Sequence, residues 1–380
     1  MARRTKRNLG IIGLGIIGSR VADHLRRKGL PVFVWNRTPR PVPNFVGSPT
    51  ELAELCDIIQ IFVSDDDAVL EMVQRMKATL NKQHIIVVNS TVSPDTVRAA
   101  AEIVERRGGR LVDAPFTGTR EAAAKGELVY YLGGDPAALQ EIRPILESSS
   151  KEVIDIGGVG QASAMKIATN IITAAIVQSA TEALTLVVDA GVEPEKFALA
   201  MRNNGSNSKT LDMKLPKMLA GDFDTQFSVK HMLKDMNIAS RIARSLGLDF
   251  LAADAARHAL QAEERDGRGA ADYSSVLHRF FPDGRVKRTE EAAPVEEQPG
   301  LTGLHAPVGG APDEVLQKIF AVPTGAEAGA SVAVIQSTGD SESNGDQAVE
   351  KSQPVTVAAG EAEEQSGGGL FRRFIRRGDY

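Results

Sequence analysis

A single cysteine in 380 residues, Cys56, leaves nothing with which to form an internal disulfide. Set among apolar neighbours in "ELAELCDIIQ", it reads as a buried thiol of a reducing compartment, and the chain is expected to be cytoplasmic. The six histidines are scattered and no cluster of ligating side chains has metal-binding spacing, so no metal is expected. The formal net charge of −5 argues against a general nucleic-acid binder. No stretch offers the ~20 uninterrupted apolar residues of a membrane span. The N-terminal "MARRTKRNLGIIGLGIIG" mimics a secretory signal, but Gly10, Gly13, Gly15 and Gly18 break its apolar run and no A-x-A-like cleavage site follows.

What is present is a change of pattern along the chain. From residue 8 to about 155, short apolar runs ("LGIIGLG", "PVFVWN", "IIQIFVS", "HIIVVNS", "RLVDAPF", "LVYYLGG") alternate with amphipathic stretches such as "ELAELC" and "SPDTVRAAAEIVERRG". That alternation predicts repeated β-α units on a largely parallel sheet, covered on both faces. Residues 161–190 run without proline or glycine, which predicts one long helix, and the segments that follow to about Phe281 read as helices separated by "NNGSNS" and "LAGDFD". Beyond about residue 285 the chain is rich in Gly, Ala, Ser, Glu and Pro and loses periodicity. The expected architecture is therefore α/β: an N-terminal Rossmann domain over residues 1–160, an interdomain helix over 161–190, an all-α substrate and dimerisation domain over 191–285, and a disordered tail over 286–380. A long apolar interdomain helix suits burial between subunits, so a homodimer or homotetramer is expected.

Gly13-Leu14-Gly15-Ile16-Ile17-Gly18 is a G-x-G-x-x-G that follows an apolar strand and opens an amphipathic helix. That context is the one in which the pattern binds a dinucleotide, the helix N-terminus facing the pyrophosphate. At the end of the second strand an NAD enzyme usually carries an acid for the ribose 2′-hydroxyl. Here the chain reads Asn36-Arg37-Thr38. Arg37 suits a 2′-phosphate, with Asn36 and Thr38 adding hydrogen bonds, so NADP is favoured over NAD.

Lys166 and Asn170 are spaced i, i+4 with Ser163 at i−3, which puts all three on one face near the start of the long helix. Together with the order of the surrounding motifs, "GLGIIGSRVADHL", "DAPFTGTREAAAKGELVYYLGG", "GVGQASAMKIATN" and "KHMLKDMNIA", the chain resembles the β-hydroxyacid dehydrogenase family over roughly residues 8 to 282. The pattern is nearest to its glyoxylate/succinic semialdehyde reductases and also resembles 3-hydroxyisobutyrate dehydrogenases. The resemblance implies that Lys166 is the general acid/base and that Asn170 orients the substrate. It implies that Thr117, Gly118 and Thr119 bind the substrate carboxylate, where the family commonly has Ser-Gly-Gly, and that Phe227 and Lys234 close the cleft. Val63, Ser64, Thr91, Lys234 and Asp235 are implied as cofactor neighbours. Thr119 in place of glycine adds bulk beside the substrate and disfavours a simple 3-hydroxyisobutyrate assignment. A lysine partly desolvated in such a cleft can be tuned toward a pKa of about 7 to 8, suited to proton transfer.

The expected activity is NADP(H)-dependent interconversion of a short hydroxy acid and its aldehydo or keto acid. Imine reduction on the same scaffold is the enzymatic alternative, and Lys166 argues against it, because imine reductases of this architecture generally lack the lysine. A nucleotide-binding scaffold whose tail does the work is the non-enzymatic one. In the terminal "LFRRFIRRGDY", the apolar Leu370, Phe371, Phe374 and Ile375 and the arginines at 372, 373, 376 and 377 would segregate on opposite faces of a helix. Residues 370–377 are therefore expected to dock on an acidic protein groove or an anionic membrane.

Overall fold

The computed structural model describes residues 8–286. The expected disordered tail from residue 287 onward and the motif at 370–377 lie outside the described residues, all of which belong to one compact unit. Elements β1 (Leu9–Ile12), α1 (Gly18–Arg27), β2 (Val32–Trp35), α2 (Pro49–Leu55), β3 (Ile58–Ile61), α3 (Asp66–Met76), β4 (Ile85–Val88), α4 (Pro94–Glu105) and β5 (Arg110–Asp113) form a right-reading β-α series. They are followed by β6 (Phe116–Thr117), α5 (Arg120–Lys125), β7 (Leu128–Gly134), α6 (Pro136–Glu147) and β8 (Ser150–Gly157).

The sheet runs β2-β1-β3-β4-β5-β7-β6, with β8 beside β7. Neighbours from β2 to β5 are parallel, β7 is antiparallel to β5 and β6, and β8 is parallel to β7. Strands β1, β3 and β4 are buried along their whole length because helices cover both faces. Ile11, Ile58, Ile85 and Val87 pack with Leu25 of α1 on one side. Ile12, Ile59, Ile61 and Ile86 pack with Val69 and Val73 of α3 and Val97 of α4 on the other. Each such side chain contributes about 1.5–3 kcal/mol by leaving water. Because β1 lies between β2 and β3, the sheet's switch point and its ligand crevice sit beyond the carboxyl ends of these strands.

Helix α7 (Gln161–Asp189) spans 29 residues, about 44 Å at 1.5 Å per residue. Serine, threonine and glutamine interrupt its apolar sequence, yet contrary to the expectation from uninterrupted runs it is long and apolar enough, by length and composition, to cross a membrane. Its apolar character has a use within the fold: one side packs against β5, β7 and α4, and along its length it meets α9 (Lys209–Ala220), α10 (Val229–Ser245) and α11 (Leu251–Arg265). Helix α8 (Pro194–Arg202) and a 3-10 helix, Tyr273–Arg279, complete the second region. Its core gathers Val177, Leu184, Met218, Met232, Met236, Leu260 and Leu277. Val286, expected as the first residue of the tail, instead packs against this core.

Candidate active site

The three glycines after β1 do different work. Gly13 has φ +95°, and a side chain there would collide with the carbonyl oxygen of Phe62. Gly18 meets the Gly13 carbonyl so closely that a Cβ has no room. A Cβ on Gly15 would meet nothing within 4 Å, leaving its backbone open to close approach by a ligand. Ile17 at the N-cap of α1 makes no side-chain capping bond, and Ile16 is 45% exposed at the rim. Tight turn, open backbone and a helix start without a side-chain cap are the features a pyrophosphate requires, so these residues fit a dinucleotide.

At the end of β2, Asn36 Oδ1 accepts the Leu14 N–H at 2.9 Å and its Nδ2 donates to the Thr38 carbonyl at 2.8 Å. Asn36 thus ties the glycine turn to the β2 turn, a structural role that the sequence did not reveal. Arg37 and Thr38 remain exposed at that turn. The loops after β3 and β4 are joined where Ser90 Oγ accepts the Val63 N–H at 2.7 Å. Ser64 is exposed and donates to Asp65 Oδ2 at 2.6 Å. From α10, Lys234 Nζ donates to the Thr91 carbonyl oxygen, so the helical region reaches the β4 loop directly.

Lys166 and Asn170 are both buried on α7, with 9% and 4% of their surface exposed. Among the described residues the Lys166 ammonium has no hydrogen-bond partner. Burial pushes its pKa down to about 8, with Asp235 pulling it up and Lys234 pressing it down. Asn170 Nδ2 donates to Asp235 Oδ2 at 2.7 Å, and Lys234 Nζ donates to Asp235 Oδ1 at 2.6 Å. The fold therefore brings Thr91, Lys166, Asn170, Lys234 and Asp235 into one charged cluster between the two regions.

Thr117, Gly118 and Thr119 lie where β6 leads into α5. Thr117 and Thr119 are half-buried and Gly118 is exposed. The Thr119 hydroxyl caps α5 by accepting the Ala122 N–H at 3.2 Å, so its extra bulk over glycine has a helix-capping reason. The next residue, Arg120, bridges to Asp224 at 3.1 Å, joining this loop to the segment that leads to Phe227. Phe227 is half-buried, parallel to His231 at 6.3 Å and edge-on to Tyr273 at 6.1 Å. Among the described residues, none of Thr117, Gly118, Thr119 and Phe227 hydrogen-bonds to Lys166 or Asn170; the Thr119 hydroxyl is engaged in the α5 cap and Phe227 in the ring group with His231 and Tyr273.

Three residues of this region were not singled out by pattern. Asp113, at the end of β5, accepts hydrogen bonds from the start of α7. Lys214 and Asp272, only 1% and 2% exposed, form an ion pair at 2.7 Å beneath Phe227. Asp272 Oδ2 also accepts the Gln226 and Phe227 N–H groups, each at 3.1 Å. A lysine on an amphipathic helix ordinarily snorkels to water, so only the distant aspartate could have marked Lys214 as buried.

Sheet and glycine turn are those of a dinucleotide-binding domain, and the buried cluster lies where that domain meets the helical region. Family models agree across both. Residues 8–158 match the NAD-binding domain of 6-phosphogluconate dehydrogenase, and residues 160–280 match the NAD-binding domain of NADP-dependent 3-hydroxyisobutyrate dehydrogenase. The chain is 30% identical over 281 residues to the 2-hydroxy-3-oxopropionate reductase of Escherichia coli K12, covering 71% of this chain and 95% of that one. It is 26% identical over 282 residues to the chloroplastic glyoxylate/succinic semialdehyde reductase 2 of Arabidopsis thaliana, covering 71% and 78%. The solved 3-hydroxyisobutyrate dehydrogenase of Mycobacterium tuberculosis with L-serine has the same fold, with a TM-score of 0.66 at 22% identity over 72% of this chain and 99% of that one. The human cytokine-like nuclear factor N-PAC is 28% identical over 72% of this chain, which spans about half (52%) of that longer protein. The chain belongs to the β-hydroxyacid dehydrogenase family and is an oxidoreductase that uses a nicotinamide dinucleotide.

Proposed function

We propose that the protein is an NADP(H)-dependent reductase of short 2-oxo or semialdehyde acids, with glyoxylate and succinic semialdehyde as the first candidates and 3-hydroxyisobutyrate-like acids behind them. The observation that carries this reading is Lys166, a buried lysine with a pKa near 8 at the junction of the two regions. When bound, the reduced nicotinamide supplies the hydride to the carbonyl carbon. Lys166 then donates its proton to the carbonyl oxygen and, in the reverse direction, removes it from the hydroxyl. The Thr117 hydroxyl and the amides of Gly118 and Thr119 hold the substrate carboxylate. Asn170, its amide nitrogen fixed by Asp235, orients the substrate through its remaining oxygen. Phe227 excludes water from that side, and Arg37 selects the 2′-phosphate.

The reading extends to assembly and location. Ile172 and Leu186, 60% and 70% exposed on a helix otherwise rich in apolar residues, favour a homodimer or homotetramer. The single cysteine favours the cytoplasm, and the segregated arginines and apolar residues of 370–377 favour docking on an acidic groove or an anionic membrane. The decisive experiment is purified protein screened with NADPH against small aldehydo and keto acids. Consumption of NADPH with glyoxylate or succinic semialdehyde is expected; inertness toward every acid on the panel would overturn the proposal.

A further inference from the structure

We propose that Asp113 is a positioning residue that holds Lys166 in register with the substrate loop, an inference that rests on the role given to Lys166 above. Helix α7 is entered through Gly160, whose φ of +88° and missing side chain leave the helix without a side-chain cap at that position. Its first N–H groups need partners from elsewhere. Asp113 supplies them from the end of β5. Its Oδ2 accepts the N–H groups of Gly160 at 3.0 Å and Ser163 at 2.8 Å, and its Oδ1 accepts the Ser163 hydroxyl at 2.7 Å.

The carboxylate is fully buried, at the positive end of the longest helix among the described residues. Burial pushes its pKa up to about 6, and the Ser163 and Gly160 donors and the Arg98 charge keep it from rising further, so it remains ionised at neutral pH. A buried charge so thoroughly bonded fixes the first turn of α7 to the sheet. Ser163 stands one turn before Lys166, so the clamped turn is the one that sets the lysine's position. In the other direction along the chain, β5 runs through Ala114 and Pro115 into Phe116 and Thr117. One side chain therefore couples the proposed proton donor to the proposed carboxylate anchor. A displacement of about 1 Å between two such groups lowers turnover by about 100-fold.

A cap that serves stability alone would lower the melting temperature and leave everything else in place. A positioning residue also changes kcat and the environment of Lys166. The test uses the full chain as Asp113→Asn, which removes the charge and leaves a single accepting oxygen for the α7 donors, and as Ser163→Ala, which removes one of the three bonds and preserves the fold. Both are measured for kcat and KM. In addition, the pH dependence of Lys166 acylation by an amine reagent, followed by mass spectrometry, reads the lysine without turnover. Asp235 and Lys234, which face Lys166 from α10, are unchanged in both variants.

The expected result is a fall in kcat of about 100-fold in Asp113→Asn with little change in dinucleotide affinity. The acylation midpoint should rise from about 8 toward the ordinary lysine value as water reaches the loosened turn, with Ser163→Ala intermediate. Wild-type midpoint and kcat despite a lower melting temperature would overturn the proposal. If Asp113→Asn does not fold, Ser163→Ala decides by the same readouts. If the wild type reduces no acid, the reading of Lys166 as proton donor fails separately, and the acylation midpoint still decides whether Asp113 positions the lysine.

Discussion

Asn170 and Asp235, 65 positions apart in the chain, are joined side chain to side chain at 2.7 Å across the packing of α7 on α10. The other Asp235 oxygen accepts from Lys234 at 2.6 Å, so one buried carboxylate orders two candidate site residues and pulls up the pKa of a third, Lys166. Asp235→Asn keeps the shape and removes the charge. Without that charge the Lys166 pKa falls below its value of about 8, because burial and Lys234 then act unopposed. The alkaline limb of the reduction profile should move to lower pH. An unmoved limb in kcat against pH would show that Asp235 does not act on Lys166.

The role proposed for Lys166 sets the direction of the expected pH dependence. Reduction needs the protonated amine, so kcat should be level below pH about 8 and fall above it; oxidation needs the neutral amine and should rise through the same pH. Stability follows a sign of its own. The folded pKa lies below the unfolded value of 10.5, so the unfolded chain binds more protons between about 8 and 10.5, and stability should increase with pH across that window. Lys166→Ala should lower turnover by about 10²- to 10⁴-fold while binding NADPH nearly normally, as measured by titration of the cofactor. Retention of more than about a tenth of wild-type turnover would remove Lys166 from the proton-transfer role.

The β2 turn alters the obvious way to switch cofactor. Asn36→Asp with Arg37→Ala would supply a ribose acceptor, and the new carboxylate could still accept the Leu14 N–H. Its second oxygen, however, would face the Thr38 carbonyl to which Asn36 now donates. Arg37→Ala alone is the cleaner variant. It should lower kcat/KM for NADPH relative to NADH by about 10- to 100-fold, the equivalent of about 1.5–3 kcal/mol for a hydrogen bond to a charged group. An unchanged ratio would mean that Arg37 does not read the 2′-phosphate.

Much of this architecture was legible because strands buried on both faces carry uninterrupted apolar runs, as "IIQI" and "IIVV" do in β3 and β4. Strand β8 escaped because "SKEVIDIG" lies at the sheet's margin with most of its residues exposed, and its charges hide the pairing with β7. Two-residue β6 has no periodicity to detect. At the candidate site, helical spacing put Lys166 and Asn170 on one face of α7, as they stand in the structure, while the roles expected of them came from the family resemblance. Ser163 shares that spacing, yet its hydroxyl bonds Asp113, 50 positions earlier, a relationship no local pattern contains. Thr119 read as bulk beside a substrate because the cap it forms depends on where α5 begins.

The buried pair Lys214–Asp272 yields the last prediction, one about stability that should carry through to the cleft. Lys214 Nζ lies 2.7 and 2.8 Å from the two Asp272 oxygens and 4.7 Å from the centre of the Tyr273 ring. Burial lowers the Lys214 pKa and Asp272 counters it, so the ammonium is held by its partner. Lys214→Met leaves a buried carboxylate without its cation and should destabilise the fold by about 3–5 kcal/mol. The Lys214→Met/Asp272→Asn double variant should be destabilised by less than the sum of the two single changes, since the two side chains share one interaction. Because Asp272 also holds the Gln226 and Phe227 amides, its loss should loosen Phe227 and raise KM for the acid more than it lowers kcat. Denaturant unfolding and steady-state kinetics on the three variants test both halves. Additive unfolding energies would dissolve the coupling between Lys214 and Asp272, and an unchanged KM in Asp272→Asn would detach Phe227 from the support beneath it.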